Sequence, residues 1–238
     1  MRDFTGFTGI LYAGAEWIMR FSVVNILWFL LNLPVLLVVS SIYFNGFGAG
    51  FVWYLLPLLI FIPLLSVPST AAVFSMVRDW IMQTDQKSLV KVYFSYLKNG
   101  YRKNFLAGLI LQSFWAVWLI DFYFFRAQGS MLELVFLVLG IGLFIYTVNF
   151  FSLSVHYRMG VRDWMKNAFF ITVGNPLMSV FILICNLSLL YTGMTKLLFL
   201  FPFFICSLGA YLSFLAFYRF SLKIRTKAQP DQPEDLLQ

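Results

Sequence analysis

The stretch FSVVNILWFLLNLPVLLVVSSIY, residues 21–43, decides the fold class because it contains no charged side chain. A helix rises about 1.5 Å per residue and the hydrocarbon core of a bilayer is about 30 Å thick, so this stretch can span a membrane. The chain of 238 residues is 61% hydrophobic and only 11% charged, whereas soluble domains carry about 25% charged residues. Its mean hydropathy is +0.83. The sequence therefore predicts an integral membrane protein.

Further apolar runs of similar length follow the first one. Together the runs predict an all-α, polytopic membrane protein with six transmembrane helices, at about 21–43, 51–75, 105–124, 132–155, 177–194 and 197–217. Pro57, Pro63 and Pro68 interrupt the second run, so we expect that helix to be kinked or broken. We expect residues 1–226 to form one membrane-embedded helical domain and residues 227–238 to form a short disordered cytoplasmic tail.

The Lys and Arg residues lie almost entirely in the segments on one side of these predicted helices. Of the 17 Lys and Arg residues, only Arg126 and Lys196 fall in segments on the other side. Cytoplasmic segments of membrane proteins are enriched in Lys and Arg, so both termini are predicted to be cytoplasmic. The formal net charge of +7 is then a property of the cytoplasmic face, and it does not indicate nucleic-acid binding.

The segment between the second and third runs, residues 84–103, reads TDQKSLVKVYFSYLKNGYRK. In a helix that begins near Thr84, one face would carry Leu89, Val90, Tyr93, Phe94 and Leu97. Another face would carry the basic residues Lys87, Lys91, Lys98 and Arg102. The pattern predicts a cytoplasmic basic amphipathic helix along the inner leaflet. Such a helix either only packs on the bundle, with its lysines near anionic headgroups, or it also binds a partner.

The tetrapeptide Val-Arg-Asp-Trp occurs twice, at residues 77–80 and 161–164, each time after a long apolar run. Trp favours the membrane–water boundary, and neighbouring Arg and Asp residues neutralise each other there. We interpret the repeat as an interfacial anchor, with a duplicated structural unit and a pair of partner contacts as the alternatives. The contacts would then be Arg78, Asp79, Trp80, Arg162, Asp163 and Trp164.

Ionisable residues are nearly absent from the apolar runs, which disfavours a carrier driven by a buried carboxylate. The neutral polar residues in the runs include Asn25, Asn32, Gln112, Asn149 and Asn186. Such groups commonly form hydrogen bonds between helices. The alternative is that Gln112, Asn149 and Asn186 line a binding site for a small neutral solute.

No sequence motif of catalysis or nucleotide binding is present. The chain has one His, and it lacks the His-Glu-x-x-His, Gly-x-Ser-x-Gly and phosphate-binding loop patterns. Cys185 and Cys206 lie in apolar runs, where a thiol is ordinarily a small hydrophobic group. We therefore expect no enzymatic activity, no cofactor and no metal site.

Several short motifs are similar to those of a known family. They are Asn25-Ile26-Leu27-Trp28, Asn32-Leu33-Pro34-Val35, Pro68-Ser69-Thr70-Ala71-Ala72-Val73-Phe74, Phe94-Ser95-Tyr96-Leu97-Lys98, Arg102-Lys103-Asn104-Phe105, Lys166-Asn167-Ala168 and Asn175-Pro176. Over most of residues 17–180 the chain resembles the YesL-type bacterial membrane proteins, a domain family of unknown function. The resemblance implies a companion of carbohydrate uptake and sensing systems, often beside transporters of the ATP-binding-cassette type. It implies no catalytic residue and no ligand.

Three functional hypotheses follow from these observations. The first is a non-enzymatic accessory or partner subunit of a carbohydrate uptake or sensing system in the bacterial inner membrane. Its partners would be solute-transporter subunits or a sensor kinase, beside a lipid bilayer with an anionic inner leaflet, and its contacts would be the basic helix and the two Arg-Asp-Trp sites. The second hypothesis is a membrane-embedded carrier or binding subunit for a small neutral solute. The third is a structural protein that stabilises membrane complexes or senses lipid.

Overall fold

A computed structural model describes residues 7–45, 51–84, 88–129 and 131–228. Within those ranges every regular element is helical and there is no strand, so the predicted all-α class is confirmed. The helices are α1 (Phe7–Asn45), α2 (Phe51–Phe61), α3 (Val67–Ile81), α4 (Leu89–Ala127), α5 (Leu132–His156), α6 (Val161–Gly174), α7 (Pro176–Thr195), α8 (Leu200–Phe203) and α9 (Ile205–Ala228). A π-helical segment, Ile62–Ser66, joins α2 to α3. Most of the predicted tail, residues 229–238, lies outside the described residues.

Six helical stretches within the described ranges are long and apolar enough to cross a membrane, as predicted. They are Leu11–Asn45, Trp53–Ile81, Leu89–Ala127, Leu132–His156, Pro176–Thr195 and Ile205–Ile224. The sixth differs from the expected single helix at 197–217, because the chain breaks at Phe204 between α8 and α9. The cytoplasmic position of the termini stays a prediction, since length and composition do not orient a helix.

The core is built around α3, which contacts α1, α4, α5 and α9. Val73 and Met76 of α3 have no solvent-accessible surface. Ser69, Ala71 and Ala72 are small and are also buried. Small residues let neighbouring helix backbones approach closely, which is how helices associate where water cannot drive them together. The composition of α3 therefore suits a central helix surrounded by others.

The second span is irregular at Pro63, as predicted, whereas Pro57 lies inside the helix α2. Pro63 lies in the π-helical segment, and Pro68 lies in the first turn of α3. Proline has no N–H to donate to the preceding turn, so a regular helix cannot pass through it unchanged. Gly108 of α4 packs against this turn, where an added Cβ would lie 3.0 Å from the Cα of Pro63. The missing side chain at Gly108 thus permits a close contact between α4 and the irregular turn.

The basic segment between the second and third spans is not a separate helix. Residues 89–103 form the first turns of α4, which continues to Ala127. The helix begins at Leu89, later than the expected start near Thr84. The polar segment and the third span are therefore one element, and its basic side chains are attached to the bundle without an intervening loop.

The inward face of this segment is rotated relative to the predicted one. Tyr93 is fully buried, but Val90 and Phe94 are 45% and 43% exposed. A continuous helix buries one stripe of side chains along its length. In α4 this stripe contains Tyr93 and, further along the helix at helical spacing, Asn104 and Ala107. Val90 and Phe94 lie outside that stripe and remain at the surface.

The helix α6 lies in what is predicted to be a loop between the fourth and fifth spans. It packs mainly on α5, with Trp164 and Ala168 buried one helical turn apart. This helix has 14 residues, too few to cross a membrane, so the long apolar runs that identify spans do not reveal it.

Candidate functional site

Polar side chains of α1, α3 and the π-helical segment meet in the bundle, and all but Ser66 belong to the motifs that resemble the family. The Nε1 of Trp28 donates to Oγ1 of Thr70 at 2.9 Å. The Nδ2 of Asn32 donates to Oγ of Ser69 at 2.8 Å, and the hydroxyl of Ser66 donates to Oδ1 of Asn32. Asn32 and Ser69 are both buried. Residues from separate motifs thus form one hydrogen-bonded set between the first two spans.

Asn25 of α1 bridges the break between α8 and α9. Its Nδ2 donates to the carbonyl oxygen of Phe201 at 3.0 Å, and its Oδ1 accepts the backbone N–H of Ser207 at 3.0 Å. A helix break leaves backbone groups without intrahelical partners, which is costly away from water. Asn25 is fully buried and bonds to one such group on each side of the break.

In the first Val-Arg-Asp-Trp copy, Arg78 and Asp79 bond to neighbouring helices. Nη2 of Arg78 lies 2.7 Å from Oδ1 of Asp79, and the hydroxyl of Tyr96 on α4 donates to the other carboxylate oxygen. Nη1 of Arg78 donates to the carbonyl oxygen of Val155 at 2.6 Å. Carbonyls in the last turn of a helix lack intrahelical donors and carry the negative end of the helix dipole. The Arg78–Asp79 pair therefore joins α3 to α4 and to the end of α5.

The two Trp residues of the repeat are packed inside the protein. Trp80 is 5% exposed and meets Trp17 and Phe21 of α1 edge to face. Trp164 is 6% exposed, and its Nε1 donates to the carbonyl oxygen of Tyr157 at 3.0 Å. The first copy ends a helix and the second begins one, so the copies occupy different local structures.

The exposed members of the repeat are Arg162 and Asp163, both on α6. Asp79 is buried and Arg78 is bonded to α5, so these two side chains are used within the bundle. Of the predicted partner contacts in the two copies, Arg162 and Asp163 are exposed and Arg78 is partly exposed, whereas the other three are buried.

A basic face lies along the first turns of α4, and it consists of Lys91, Lys98 and Arg102. All three side chains are exposed, and none is ion-paired with a described carboxylate. Their spacing of seven and four residues places them on one side of the helix. The exposed Val90 and Phe94 lie beside them. Lys87, the fourth predicted member, lies outside the described residues.

The three intramembrane amides that are candidates for a solute site bond to three different helices. The donor–acceptor pairs are Gln112 with the carbonyl of Leu58 (3.3 Å), Asn149 with Oγ1 of Thr172 (3.0 Å) and Asn186 with Oγ of Ser213 (2.9 Å). Their predicted use in bonds between helices is confirmed, and each amide bonds to a different helix. In the described part of the chain, His, Cys, Asp and Glu form no group of three that could hold a metal ion.

An open groove of about 1240 Å³ lies between α4, α5 and α6. Its walls are mostly apolar, for example Ile110 and Phe114 of α4 and Leu139 of α5. Arg162 and Lys166 of α6 also line it. The sequence alone does not reveal this groove, because the side chains that line it come from three separate segments and α6 is not among the predicted helices.

Comparison with known proteins places the chain beside uncharacterised relatives. The family model "Protein of unknown function, DUF624" matches residues 47–122. Uncharacterized protein YesV of Bacillus subtilis (strain 168) is 27% identical over 235 residues, which cover 96% of this chain and 98% of the relative. Uncharacterized protein YteU of the same organism is 24% identical, over 92% of this chain and 88% of the relative. No solved structure matches the chain significantly.

A third relative carries the name of the family that the motifs resemble. Uncharacterized protein YesL of the same organism is 26% identical over 162 residues, which cover 67% of this chain and 65% of the relative. The resemblance of this chain to the YesL-type membrane proteins, expected from its short motifs, is therefore confirmed.

Proposed function

We propose that this chain is a non-enzymatic, multi-pass protein of the bacterial inner membrane that acts as a partner subunit, binding an acidic surface of another protein through the basic face of α4. One observation carries the proposal: Lys91, Lys98 and Arg102 are exposed on one side of a helix that is continuous with a membrane span. Opposite charges on two surfaces steer their encounter and fix their register.

The opposite side of the same helical segment is anchored in the bundle. Tyr93 is fully buried and its hydroxyl donates to the carbonyl of Ser69 at 3.2 Å, while the Tyr96 hydroxyl bonds to Asp79. A surface that is already ordered loses less conformational freedom when it binds a partner. The basic face is therefore better suited to docking than lysines on a loop would be.

Exposed apolar side chains beside the basic face make it better suited to binding a partner protein. Val90 and Phe94 lie next to the cations, although binary patterning alone would place them inside. Protein interfaces combine aromatic anchors with a charged rim, and Phe94 among Lys91 and Lys98 has that character.

The identity of the partner rests on the resemblance alone. A companion of carbohydrate uptake or sensing would bind solute-transporter subunits or a sensor kinase, and the relatives' names add nothing to that expectation. The alternative function, a carrier for a small neutral solute, has less support because Gln112, Asn149 and Asn186 are each engaged with a different helix.

The test is purification of the tagged full chain from its native membrane in a mild detergent, with quantitative mass spectrometry of the proteins that accompany it. The K91E/K98E variant should lose at least about tenfold of its partner, because attraction becomes repulsion at two positions of the interface. The matched control is K196E/K223E, which reverses two exposed lysines elsewhere and should keep the partner. Equal recovery with both variants would contradict the proposed docking face.

A further inference from the structure

The groove between α4, α5 and α6 has an apolar body. Leu106, Ile110 and Phe114 of α4 form one wall, and Val138 and Leu139 of α5 form another. These side chains are between 40% and 65% exposed, so the protein itself does not cover them. Along α4 the apolar wall extends for two helical turns, in the direction of the predicted membrane normal. A body of this kind suits an acyl chain.

One end of the groove is positively charged. Arg162 and Lys166 are one helical turn apart on α6 and both line the groove. Neither is ion-paired with a described carboxylate. The ammonium of Lys166 lies 5.9 Å from the ring centroid of Phe170, another lining residue, so the cation sits over the apolar wall.

The position of this charged end follows from a contact between α4 and α6. The ammonium of Lys103 lies 5.7 Å from the ring centroid of Trp164. The start of α6 is therefore beside residue 103 of α4, one turn before the apolar wall begins at Leu106. In the predicted orientation this is the cytoplasmic end, where the leaflet carries anionic lipids.

We infer that this groove binds one anionic phospholipid of the inner leaflet, with an acyl chain along α4 and α5 and the phosphate beside Arg162 and Lys166. Two observations favour a lipid over a protein helix. The apolar wall is exposed and belongs to two candidate spans, and both cations lie on the first turns of α6, which matches a molecule with one charged head. Basic pockets between transmembrane helices on the cytoplasmic side are typical headgroup sites. This inference is independent of the docking proposed for α4.

The experiment is native mass spectrometry of the purified full chain in a neutral detergent, titrated with phosphatidylglycerol or phosphatidylcholine of the same acyl chains. The unchanged protein should retain phosphatidylglycerol about thirtyfold better, since each of the two basic residues near the headgroup adds about 1 kcal/mol. The R162Q/K166Q variant should lose that preference. The K91Q/K98Q variant removes two cations from the basic face and should keep it.

A second pair of variants tests the apolar body. A Cβ added at Gly142, a lining residue, meets no atom within 4 Å, so G142L should fill the groove without disturbing α5. We expect G142L to lose retention of both lipids. The matched control is G14L on α1, where an added Cβ also meets nothing within 4 Å, and this variant should retain lipid normally.

Three results would overturn the inference. One is an unchanged lipid preference in R162Q/K166Q, and another is normal lipid retention in G142L. The third is displacement of phosphatidylglycerol by inorganic phosphate alone, which would indicate a site for a soluble anion and not for a lipid.

Discussion

Asn25 shows how one buried amide allows a helix to break inside the bundle. It bonds to the carbonyl of Phe201 and to the N–H of Ser207, on the two sides of the break at Phe204. We expect N25L to lower the free energy of unfolding by about 1 to 3 kcal/mol, because two buried backbone groups lose their partner. The measurement is thermal unfolding of the purified protein in detergent.

The control for this prediction is N45L on the same helix. Asn45 is exposed and its Nδ2 bonds only to groups at the surface, so the loss should stay below about 0.5 kcal/mol. Similar melting temperatures for the two variants would show that Asn25 does not hold the broken helix together.

Arg78 is the charged residue on which the packing of α3 depends most. Its removal in R78Q leaves the buried Asp79 carboxylate without its cation and the end of α5 without a donor. We expect R78Q to lower the free energy of unfolding by about 2 to 4 kcal/mol. This is less than for a fully buried ion pair, because the Arg78 side chain is 25% exposed. Thermal unfolding again provides the measurement.

The second copy of the tetrapeptide supplies the matched control for R78Q. Arg162 follows the same valine and precedes the same Asp-Trp pair, but it is exposed, so R162Q should change stability little. If R162Q were as destabilising as R78Q, the two copies would have the same structural role.

At this scale the sequence predicted the kind of contact but not the partners. The neutral amides Asn25, Asn32 and Asn186 were expected to bond between helices, and they do. Their hydrogen-bond partners lie as far as 182 residues away along the chain, as with Asn25 and Ser207. Such pairs depend on how the helices are arranged, which local patterning does not determine.

Among the elements, α4 departs most from what its sequence suggests. The polar segment 89–103 and the apolar third span read as two elements, because hydropathy changes sharply near Asn104. The backbone nevertheless continues as a helix, since no proline or helix-ending turn separates the two parts. Helix α6 was not predicted at all, because a short amphipathic helix lacks the long apolar run by which a span is identified.

The contact between α4 and the π-helical segment predicts opposite effects for two glycines. In G108A the new Cβ would lie 3.0 Å from the Cα of Pro63 and 3.2 Å from the Cβ of Val67. We therefore expect G108A to lower the free energy of unfolding by about 1 to 3 kcal/mol. In G142A the Cβ enters open space. Because alanine favours a helix more than glycine does, G142A should raise the free energy of unfolding by about 0.5 to 1 kcal/mol. Thermal unfolding of both variants measures these changes in stability. A stabilising effect of G108A would mean that α4 does not pack closely on Pro63.

For the whole molecule, composition was enough to predict six candidate spans, because apolar runs of span length with few charges have few alternatives. It was not enough to predict that α3 is the central helix. Centrality follows from small buried residues such as Ser69, Ala71 and Ala72, and every span contains some small residues. The groove and the basic face likewise depend on how the elements pack.

The orientation of the molecule can be tested with single cysteines in a variant that has Cys185 and Cys206 replaced by Ala. In the predicted topology a cysteine at Gln128 faces the outside and reacts with a membrane-impermeant maleimide on intact spheroplasts. A cysteine at Arg158 faces the cytoplasm and reacts only after lysis. Both wild-type side chains are exposed, so burial does not bias the result. The reverse labelling pattern would refute the prediction that both termini are cytoplasmic.

Binding of another protein to the basic face of α4 can be detected by photo-crosslinking in native membranes. A photoreactive phenylalanine analogue replaces Phe94, which is 43% exposed beside Lys98, or Phe124, which is 57% exposed near the other end of the same helix. We predict a discrete protein adduct at position 94 that disappears in K91E/K98E, and no such adduct at position 124. Adducts only with lipid at position 94, or a protein adduct that survives the charge reversal, would contradict this prediction.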